Sequence, residues 1–244
     1  MPERSEPTMK DERKNSPRAP VCPATMTPGR SARVVAALAA HYGRPEPALE
    51  YGNPYQLAVA VVLSAQTTDR QVNSVTPRLF ERYPDFASLA AAQSGDIEKI
   101  IRSVGFFHTK ARNIRELARR VAELYNGTLP SAREELMELP GVGRKSANVI
   151  LAMGFGIPAF AVDTHVLRVS NRIGYARSES PDAVESCLTA VIPPEDWIAG
   201  HLLFISHGRA ICRARGPLCD RCPVSALCDF AGDIPQTRSS PRDR

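Results

Sequence analysis

Nearly every segment of this chain repeats its apolar residues at helical period and ends at a proline or a glycine. Asn53 followed by Pro54 is a helix cap and first-turn pair, and it opens an apolar helix that runs through Leu63. The stretch from Thr68 to Gln71 has the form of a capping box for the next helix. No segment alternates apolar and polar residues over the length of a strand, and no internal repeat is present. The sequence therefore predicts an all-α fold.

Prolines and capping residues place further helix boundaries. Pro77 should end one helix and start another, because proline lacks the backbone N–H that an internal position needs. Ser131 and Glu134 have the spacing of a second capping box, and their helix must end at Leu139 because a proline follows. Ser180, which also precedes a proline, should cap a later helix.

The two ends of the chain differ from this helical middle. Residues 1–29 are rich in proline and charge and almost free of large apolar side chains, so we expect a disordered extension that cannot offset its chain entropy. Residues 233–244 have the composition of a loose, basic tail. The chain has no apolar run near the roughly 20 residues that span a bilayer, and no hydrophobic signal region. We therefore expect a cytoplasmic protein with no membrane partner.

A glycine turn between two helices suggests an anion site. In "LPGVGRKSANVI", Gly141 and Gly143 permit positive φ and let a ligand approach the backbone, while the next helix directs its N–H groups at the turn. A nucleic-acid phosphate fits such a site, and the net charge of +5 favours a polyanionic partner. A free-nucleotide P-loop would need glycine where this chain has Arg144. A hairpin whose glycines serve only steric needs is the other alternative, so the turn alone leaves the role of Lys145 open.

Four cysteines within seventeen residues form a second pattern, C-x6-C-x2-C-x5-C. Disulfides are not expected among them in a chain without an export signal. Zinc ribbons typically use two C-x2-C knuckles about 15 to 20 residues apart, whereas this loop has one knuckle. Four thiolates from one short loop favour a [4Fe–4S] cluster over zinc. The proposed ligands are Cys212, Cys219, Cys222 and Cys228.

The remaining cysteines and the arginines of this loop have separate interpretations. Cys22 and Cys187 have no partner nearby in the sequence, and we expect the first in the tail and the second in a helix core. Arg213 and Arg215 lie between the cysteines and should give the loop a cationic surface.

Three stretches occur together: "LPGVGRKSANVI", "VDTHVLRVSNRIG" from Val162, and the four-cysteine ending. In this order and spacing, from about Arg30 to Phe230, the chain resembles endonuclease III, an iron–sulfur DNA glycosylase of the helix-hairpin-helix superfamily. The resemblance implies removal of oxidised pyrimidines from damaged double-stranded DNA, followed by strand cleavage at the abasic site. It implies a protein that acts as a monomer.

The resemblance also implies an architecture of two helical lobes with a DNA groove between them. A six-helix barrel would occupy residues 48–157, with the helical hairpin at 131–155. An iron–sulfur cluster lobe would combine residues 30–47 with 158–232.

By the same resemblance, Lys145 is the nucleophile and Asp163 its essential carboxylate. An amine that attacks sugar C1′ can form an imine, and the imine acidifies the C2′ proton so that the 3′ phosphate leaves. The positive helix end and Arg144 should both favour the neutral amine that can attack. Asp163 could stabilise positive charge on the sugar or accept a proton, and its position before an amphipathic helix is also that of an ordinary N-cap.

Further residues are expected to touch DNA. Gln66 and Phe106 stand where the family places side chains that fill the gap left by an extruded base. An aliphatic residue is usual where this chain has Phe106, and packing in the core is the alternative role for this aromatic ring. Asp69 matches the family pattern, and His165 should lie against the DNA backbone. The full set of expected DNA contacts is Gln66, Phe106, Gly141, Gly143, Arg144, His165, Arg213 and Arg215.

Three other classes of protein share parts of this sequence pattern. A noncatalytic helix-hairpin-helix module would keep the glycine turn but would not need Lys145 and Asp163 together. An electron-transfer iron–sulfur protein would explain only the cysteines. Adenine glycosylases share the fold and the cluster but lack a lysine at position 145, so Lys145 favours an enzyme that also cuts the strand.

Overall fold

The structure, a computed structural model, describes residues 22–233, and within this range every regular element is helical. The all-α prediction is therefore confirmed. The α-helices of this part of the chain are α1 (Pro28–Tyr42), α2 (Pro54–Ser64), α3 (Asp69–Arg82), α4 (Phe86–Ala91), α5 (Ser94–Ile101), α6 (Phe107–Leu124), α7 (Arg133–Met137), α8 (Arg144–Phe155), α9 (Thr164–Ile173), α10 (Pro181–Val191), α11 (Trp197–Ala210) and α12 (Asp229–Asp233).

Capping side chains begin several of these helices where the sequence predicts them. Asn53 accepts a hydrogen bond from the backbone N–H of Gln56 at the start of α2. Thr68 and Ser180 do the same for α3 and α10. These local hydrogen bonds satisfy N–H groups that have no partner inside the helix, which is why the boundaries are readable from the sequence.

Two local predictions are wrong. Pro77 does not restart a helix, because α3 continues through it. Residues on both sides of Pro77, Val72 and Leu79 among them, are buried on one face, so packing outweighs the lost backbone hydrogen bond. Ser131 does not cap α7, whose N-cap is Ala132 and has no side-chain hydrogen bond.

The buried apolar residues form two separate cores, one for each of two lobes. The barrel lobe is built from α2 to α8, and its core runs from Tyr55 to Ala159. It includes two short helices, α4 and α7, of six and five residues. The cysteine lobe combines α1 with α9 to α12, and Val34 and Leu38 of α1 pack in its core with Phe160 and Phe204.

The cysteine lobe begins earlier in the chain than the sequence suggests. Met26 is buried in that core, and α1 already begins at Pro28, so residues 22–29 are not part of a disordered extension. Cys22 is bonded to Cys187 in a disulfide that closes a sequence separation of 165 residues. Cys187 lies in the core of the cysteine lobe, as expected, but the expectation that Cys22 belongs to a tail is wrong, because it is bonded to a residue distant in sequence. The rest of the expected extension, residues 1–21, and the tail after residue 233 lie outside the described residues.

Within the described residues, no helix combines the length and apolar character that crossing a membrane requires.

Candidate active site

The two glycines of the hairpin turn have different structural roles. Gly141 has φ +82°, and a Cβ there would lie 2.9 Å from Val62 Cγ1 and 3.2 Å from Asn113 Nδ2. Gly143 has φ −95°, and a Cβ there would meet nothing within 4 Å. Gly141 is thus required by the fold, whereas Gly143 keeps the backbone open to a ligand.

The start of α8 is a free helix N-terminus. Its N-cap is Gly143, so no side chain accepts a hydrogen bond from the first N–H groups. Lys145 is the second residue of this helix and is exposed. The unsatisfied donors and the helix dipole favour an anion next to the amine.

Asp163 is the N-cap of α9, as the sequence predicts. Its Oδ1 accepts hydrogen bonds of 2.8 Å from the backbone N–H groups of His165 and Val166. These two bonds fix the orientation of the carboxylate and leave Oδ2 without a partner among the described residues. Asp163 therefore caps α9 with Oδ1 and presents Oδ2 to the site.

Two concave spaces meet at Lys145 and Asp163. A partly open inner cavity of about 140 Å³ lies behind them, between the lobes. An open outer groove runs in front of them and is bordered by α3 of the barrel lobe and α9 of the cysteine lobe. The inner cavity has apolar walls from both lobes, supplied by Leu49, Leu57, Val61, Val149, Met153, Leu202 and Ile205.

Polar groups of the inner cavity come from both lobes, and three of them lie on α11. Asp69 accepts a hydrogen bond of 2.8 Å from Nη2 of Arg209, and this ion pair joins the two lobes. His201 lines the same cavity and is almost fully buried. No local sequence signal marks Arg209 or His201, because both lie in an apolar helix without a recognisable motif.

Arg144 forms a second ion pair between the lobes. Its Nε and Nη2 both donate to Glu185 of α10, at 2.9 Å each. Asn148 also donates to Glu185, at 3.0 Å, and Glu185 is buried. Glu185 offsets much of the positive charge expected beside Lys145. This pairing already occupies two of the three nitrogen atoms of the Arg144 guanidinium. The expected contact of Arg144 with a phosphate remains a prediction.

Gln66 and Phe106 lie on adjacent turns. They are two of the three non-glycine residues with positive φ in the described chain, at +52° and +57°. A Cβ on Gly105 would lie 3.9 Å from the carbonyl oxygen of Gln66, so the two turns are neighbours. Phe106 is 69% exposed, which excludes the alternative of core packing. Left-handed backbone at non-glycine residues is strained and is often associated with function.

Lys110 supports these two turns and was missed by the sequence reasoning. Its side chain is buried beneath them, and its Nζ donates a hydrogen bond of 2.7 Å to Oγ1 of Thr67. Its backbone N–H donates to the carbonyl of Phe106. Burial lowers the pKa of Lys110. A lysine inside an amphipathic helix looks solvent-exposed in the sequence, so only packing shows this contact.

The other expected DNA contacts lie on the surface. His165 borders the outer groove, and its Nδ1 lies 3.1 Å from Nη2 of Arg168. Arg213 and Arg215 are exposed, and Arg213 donates to the carbonyl of Ala210.

Comparison with known proteins identifies the family. The sequence profile described as HhH-GPD superfamily base excision DNA repair protein matches residues 59–194. Endonuclease III of Synechocystis sp. is 49% identical over 184 residues, which cover 75% of this chain and 84% of the relative. Endonuclease III of Bacillus subtilis is 45% identical over 181 residues, covering 74% and 83%. The chain belongs to the endonuclease III family.

Solved structures agree with this assignment. A trapped endonuclease III–DNA covalent intermediate matches with a TM-score of 0.80 at 43% identity, covering 85% of this chain and 98% of that one. A non-covalent endonuclease III–DNA complex matches with the same TM-score and identity. As a member of the endonuclease III family, the protein is a DNA glycosylase and abasic-site lyase of base excision repair, as the sequence resemblance implied.

The endonuclease III family binds a [4Fe–4S] cluster, and the cysteines of this chain fit one. All four line a single small cavity in the cysteine lobe. Burial, followed by the negative charge of the other three thiolates, raises the pKa of Cys222 to about 11. A cationic cluster would remove this penalty. No three His, Cys, Asp or Glu side chains within residues 22–233 converge closely enough to hold a single metal ion.

Proposed function

We propose that Lys145 is the nucleophile of this enzyme and that Asp163 assists it. The observation that carries the proposal is the position of both residues where the inner cavity meets the outer groove. A base extruded from a duplex can enter the cavity while its sugar and phosphates stay in the groove. The sugar C1′ then lies between cavity and groove, next to the amine.

The chemistry follows from an amine at this place. Nζ of Lys145 bonds to C1′ as the glycosidic bond breaks, and one proton of the amine passes to the departing base. Opening of the sugar ring gives an imine between Lys145 and C1′. Loss of a proton from C2′ then expels the 3′ phosphate and cuts the strand. The oxidised pyrimidine expected as substrate is a single-ring base, which suits the small volume of the cavity.

Asp163 supplies the negative charge that this sequence of steps needs. Positive charge develops on the sugar as the glycosidic bond breaks, and a fixed carboxylate stabilises it without reorganisation. Oδ1 is held by two backbone N–H groups, so Oδ2 is the atom that faces the reaction.

We propose that the protein acts as a monomer in the cytoplasm on damaged double-stranded DNA, and the surfaces around the site support the DNA binding. The N–H groups at the start of α8 hold a phosphate beside Lys145, with Gly141 shaping the turn and Gly143 leaving it open. Gln66 and Phe106 fill the space left by the extruded base. His165, Arg144, Arg213 and Arg215 contact the backbone.

We infer that four cysteines, which line one cavity, would hold the [4Fe–4S] cluster: Cys212, Cys219, Cys222 and Cys228. Bound there, the cluster would fix the loop that carries Arg213 and Arg215. The chemistry at Lys145 needs only an amine and a carboxylate.

Borohydride trapping tests the nucleophile. Reduction of the imine should join wild-type protein covalently to duplex DNA that contains an abasic site. Lys145→Gln should abolish trapping and strand cleavage while it still binds this DNA, because the backbone donors of the turn remain. Asp163→Asn should keep the cap and most of the binding, since Asn also caps helices well, but lose most of the rate. Trapping of Lys145→Gln at the wild-type level would contradict the proposal.

A further inference from the structure

His201 is a buried imidazole in the wall of the inner cavity. It lies on α11, is 4% exposed, and its Nδ1 is 2.8 Å from the carbonyl oxygen of Ala161. The ring of Phe160 meets it edge-on, with centroids 6.3 Å apart. His201 is therefore held in one orientation by the segment that leads to Asp163.

These contacts define the tautomer of His201. A carbonyl oxygen only accepts, so Nδ1 carries the proton and donates it to Ala161. Burial lowers the pKa of His201 to about 4, which keeps the ring neutral near pH 7. Nε2 is then an acceptor with no partner among residues 22–233. The charged groups that face the same cavity are Glu46, Asp69, Lys145, Asp163 and Arg209.

Nε2 opens onto the cavity, since within residues 22–233 the fully buried side-chain nitrogen and oxygen atoms without a partner are Arg133 Nε, Asn148 Oδ1 and Ser170 Oγ. Lys145, Ser64 and Ser206 also line the cavity, but none of them forms a hydrogen bond with Nε2, and Arg209 is paired with Asp69. A base that fills the cavity displaces water from Nε2. The loss of that hydrogen bond is costly unless the base supplies a donor of its own.

We propose that His201 is a specificity-determining residue whose Nε2 accepts a hydrogen bond from the ring N3–H of the extruded base. This inference rests on the proposed function, in which the cavity holds the base attached at C1′. Thymine- and uracil-derived lesions carry such an N–H. A site with an acceptor at this position rejects an analogue that lacks the donor, because Nε2 would lose its hydrogen bond to water without replacement.

A double-change cycle, which combines two forms of residue 201 with two substrate bases, tests the inference. The substrates are duplexes with thymine glycol and with N3-methyl thymine glycol, which lacks the donor. The proteins are wild type and His201→Asn, whose amide can still donate to Ala161 but which has no group at the position of Nε2. We expect either change alone to slow base excision by about 10- to 100-fold, and both together to cost little more than one. His201→Gln, whose amide oxygen can replace Nε2, should recover part of the rate on thymine glycol.

Leu203→Ala is the matched control for loosened packing. Leu203 is buried on the same helix but does not line the cavity, so this variant should show the wild-type preference between the two bases. In His201→Asn, excision of thymine glycol should fall by a larger factor than strand cleavage at a preformed abasic site, which has no base. Excision of thymine glycol by His201→Asn at the wild-type rate, or an equal effect of N3 methylation in both proteins, would overturn the inference.

The outcome for His201 is separable from that for Lys145. If wild-type protein is not trapped on abasic DNA, the proposed function fails. If it is trapped but residue 201 and the N3 position show no coupling, only the role of His201 fails. Should His201→Asn not fold, the wild-type preference between the two bases and the behaviour of His201→Gln still decide the question.

Discussion

Glu185 illustrates how one buried carboxylate sets the position of a neighbouring reactive group. It lies on α10 of the cysteine lobe, yet it holds Arg144, the residue before Lys145 in the barrel lobe. Arg133 adds a longer contact of 3.7 Å to the same carboxylate. A buried ion that loses its partner is strongly destabilising, so this network fixes the first turn of α8 against the other lobe.

Replacement of Glu185 should therefore reduce stability. Glu185→Gln keeps the volume but leaves the Arg144 and Arg133 guanidinium groups without their counter-charge, and we expect the free energy of unfolding to fall by on the order of 3 kcal/mol. Denaturant unfolding measures it. Asp182→Asn is the control, because Asp182 is 70% exposed at 3.6 Å from Arg144 and an exposed pair contributes about 0 to 1 kcal/mol. Equal losses in both variants would contradict the network.

At the scale of elements, the hairpin turn between α7 and α8 contains one glycine that the fold requires and one that ligand binding requires. Gly141 has positive φ and close neighbours, so it serves the packing of the turn against α2 and α6. Gly143 has ordinary φ and open space, so it serves the approach of a ligand to the start of α8.

Two alanine substitutions should show this division. Gly141→Ala should lower the free energy of unfolding by about 1 to 3 kcal/mol, because alanine is strained at this φ and its Cβ meets Val62. Gly143→Ala should change stability by less than about 0.5 kcal/mol but weaken DNA binding, since its methyl group obstructs the phosphate. Thermal unfolding and DNA titration of both variants provide the measurements. A loss of stability in Gly143→Ala as large as in Gly141→Ala would show that the turn has a single, structural role.

On the scale of the whole molecule, two ion pairs join the lobes near the site. The barrel lobe supplies the cation in one pair and the anion in the other. Arg144 of the barrel lobe binds Glu185 of the cysteine lobe, and Asp69 of the barrel lobe binds Arg209 of the cysteine lobe. The inner cavity lies between the two lobes, so its shape depends on how both lobes fold. The cysteine loop stabilises one of these lobes from its far side.

Loss of a cluster ligand should therefore affect the fold before the chemistry. Anaerobically purified protein should be brown and hold about four irons per chain. Cys219→Ser should lose iron, unfold at lower temperature and bind DNA more weakly, whereas Ser225→Ala in the same loop should keep its iron. Iron analysis and thermal unfolding measure these effects. Stoichiometric zinc in a colourless, active preparation would be incompatible with the proposed cluster.

DNA binding should depend on salt through the exposed arginines of the same loop. Arg215→Ala should reduce the slope of log affinity against log salt by about 0.9, the value for one lost phosphate contact. Arg119→Ala is the control, because Arg119 is already paired with Glu116 and Glu123 on the barrel surface. Titrations at several salt concentrations measure both slopes. An unchanged slope for Arg215→Ala would mean that this arginine is only solvated.

Local signals in the sequence were sufficient for the all-α class and for several helix starts. Asn53, Thr68 and Ser180 cap their own helices through hydrogen bonds that span three residues, so the information is contained in a few neighbouring positions. The predicted cap at Asp163 is confirmed for the same reason. Three short motifs were enough to suggest the family, because their order along the chain is itself a sequence property.

Only the tertiary structure decided which distant residues meet. The continuation of α3 through Pro77 depends on packing, and the Cys22–Cys187 bond joins positions 165 residues apart. His201 belongs to no sequence motif, and only folding places it in the same cavity as Lys145. Local hydrogen bonds favour helices wherever their residues stand, whereas a cavity between lobes exists only after chain segments distant in sequence have packed together.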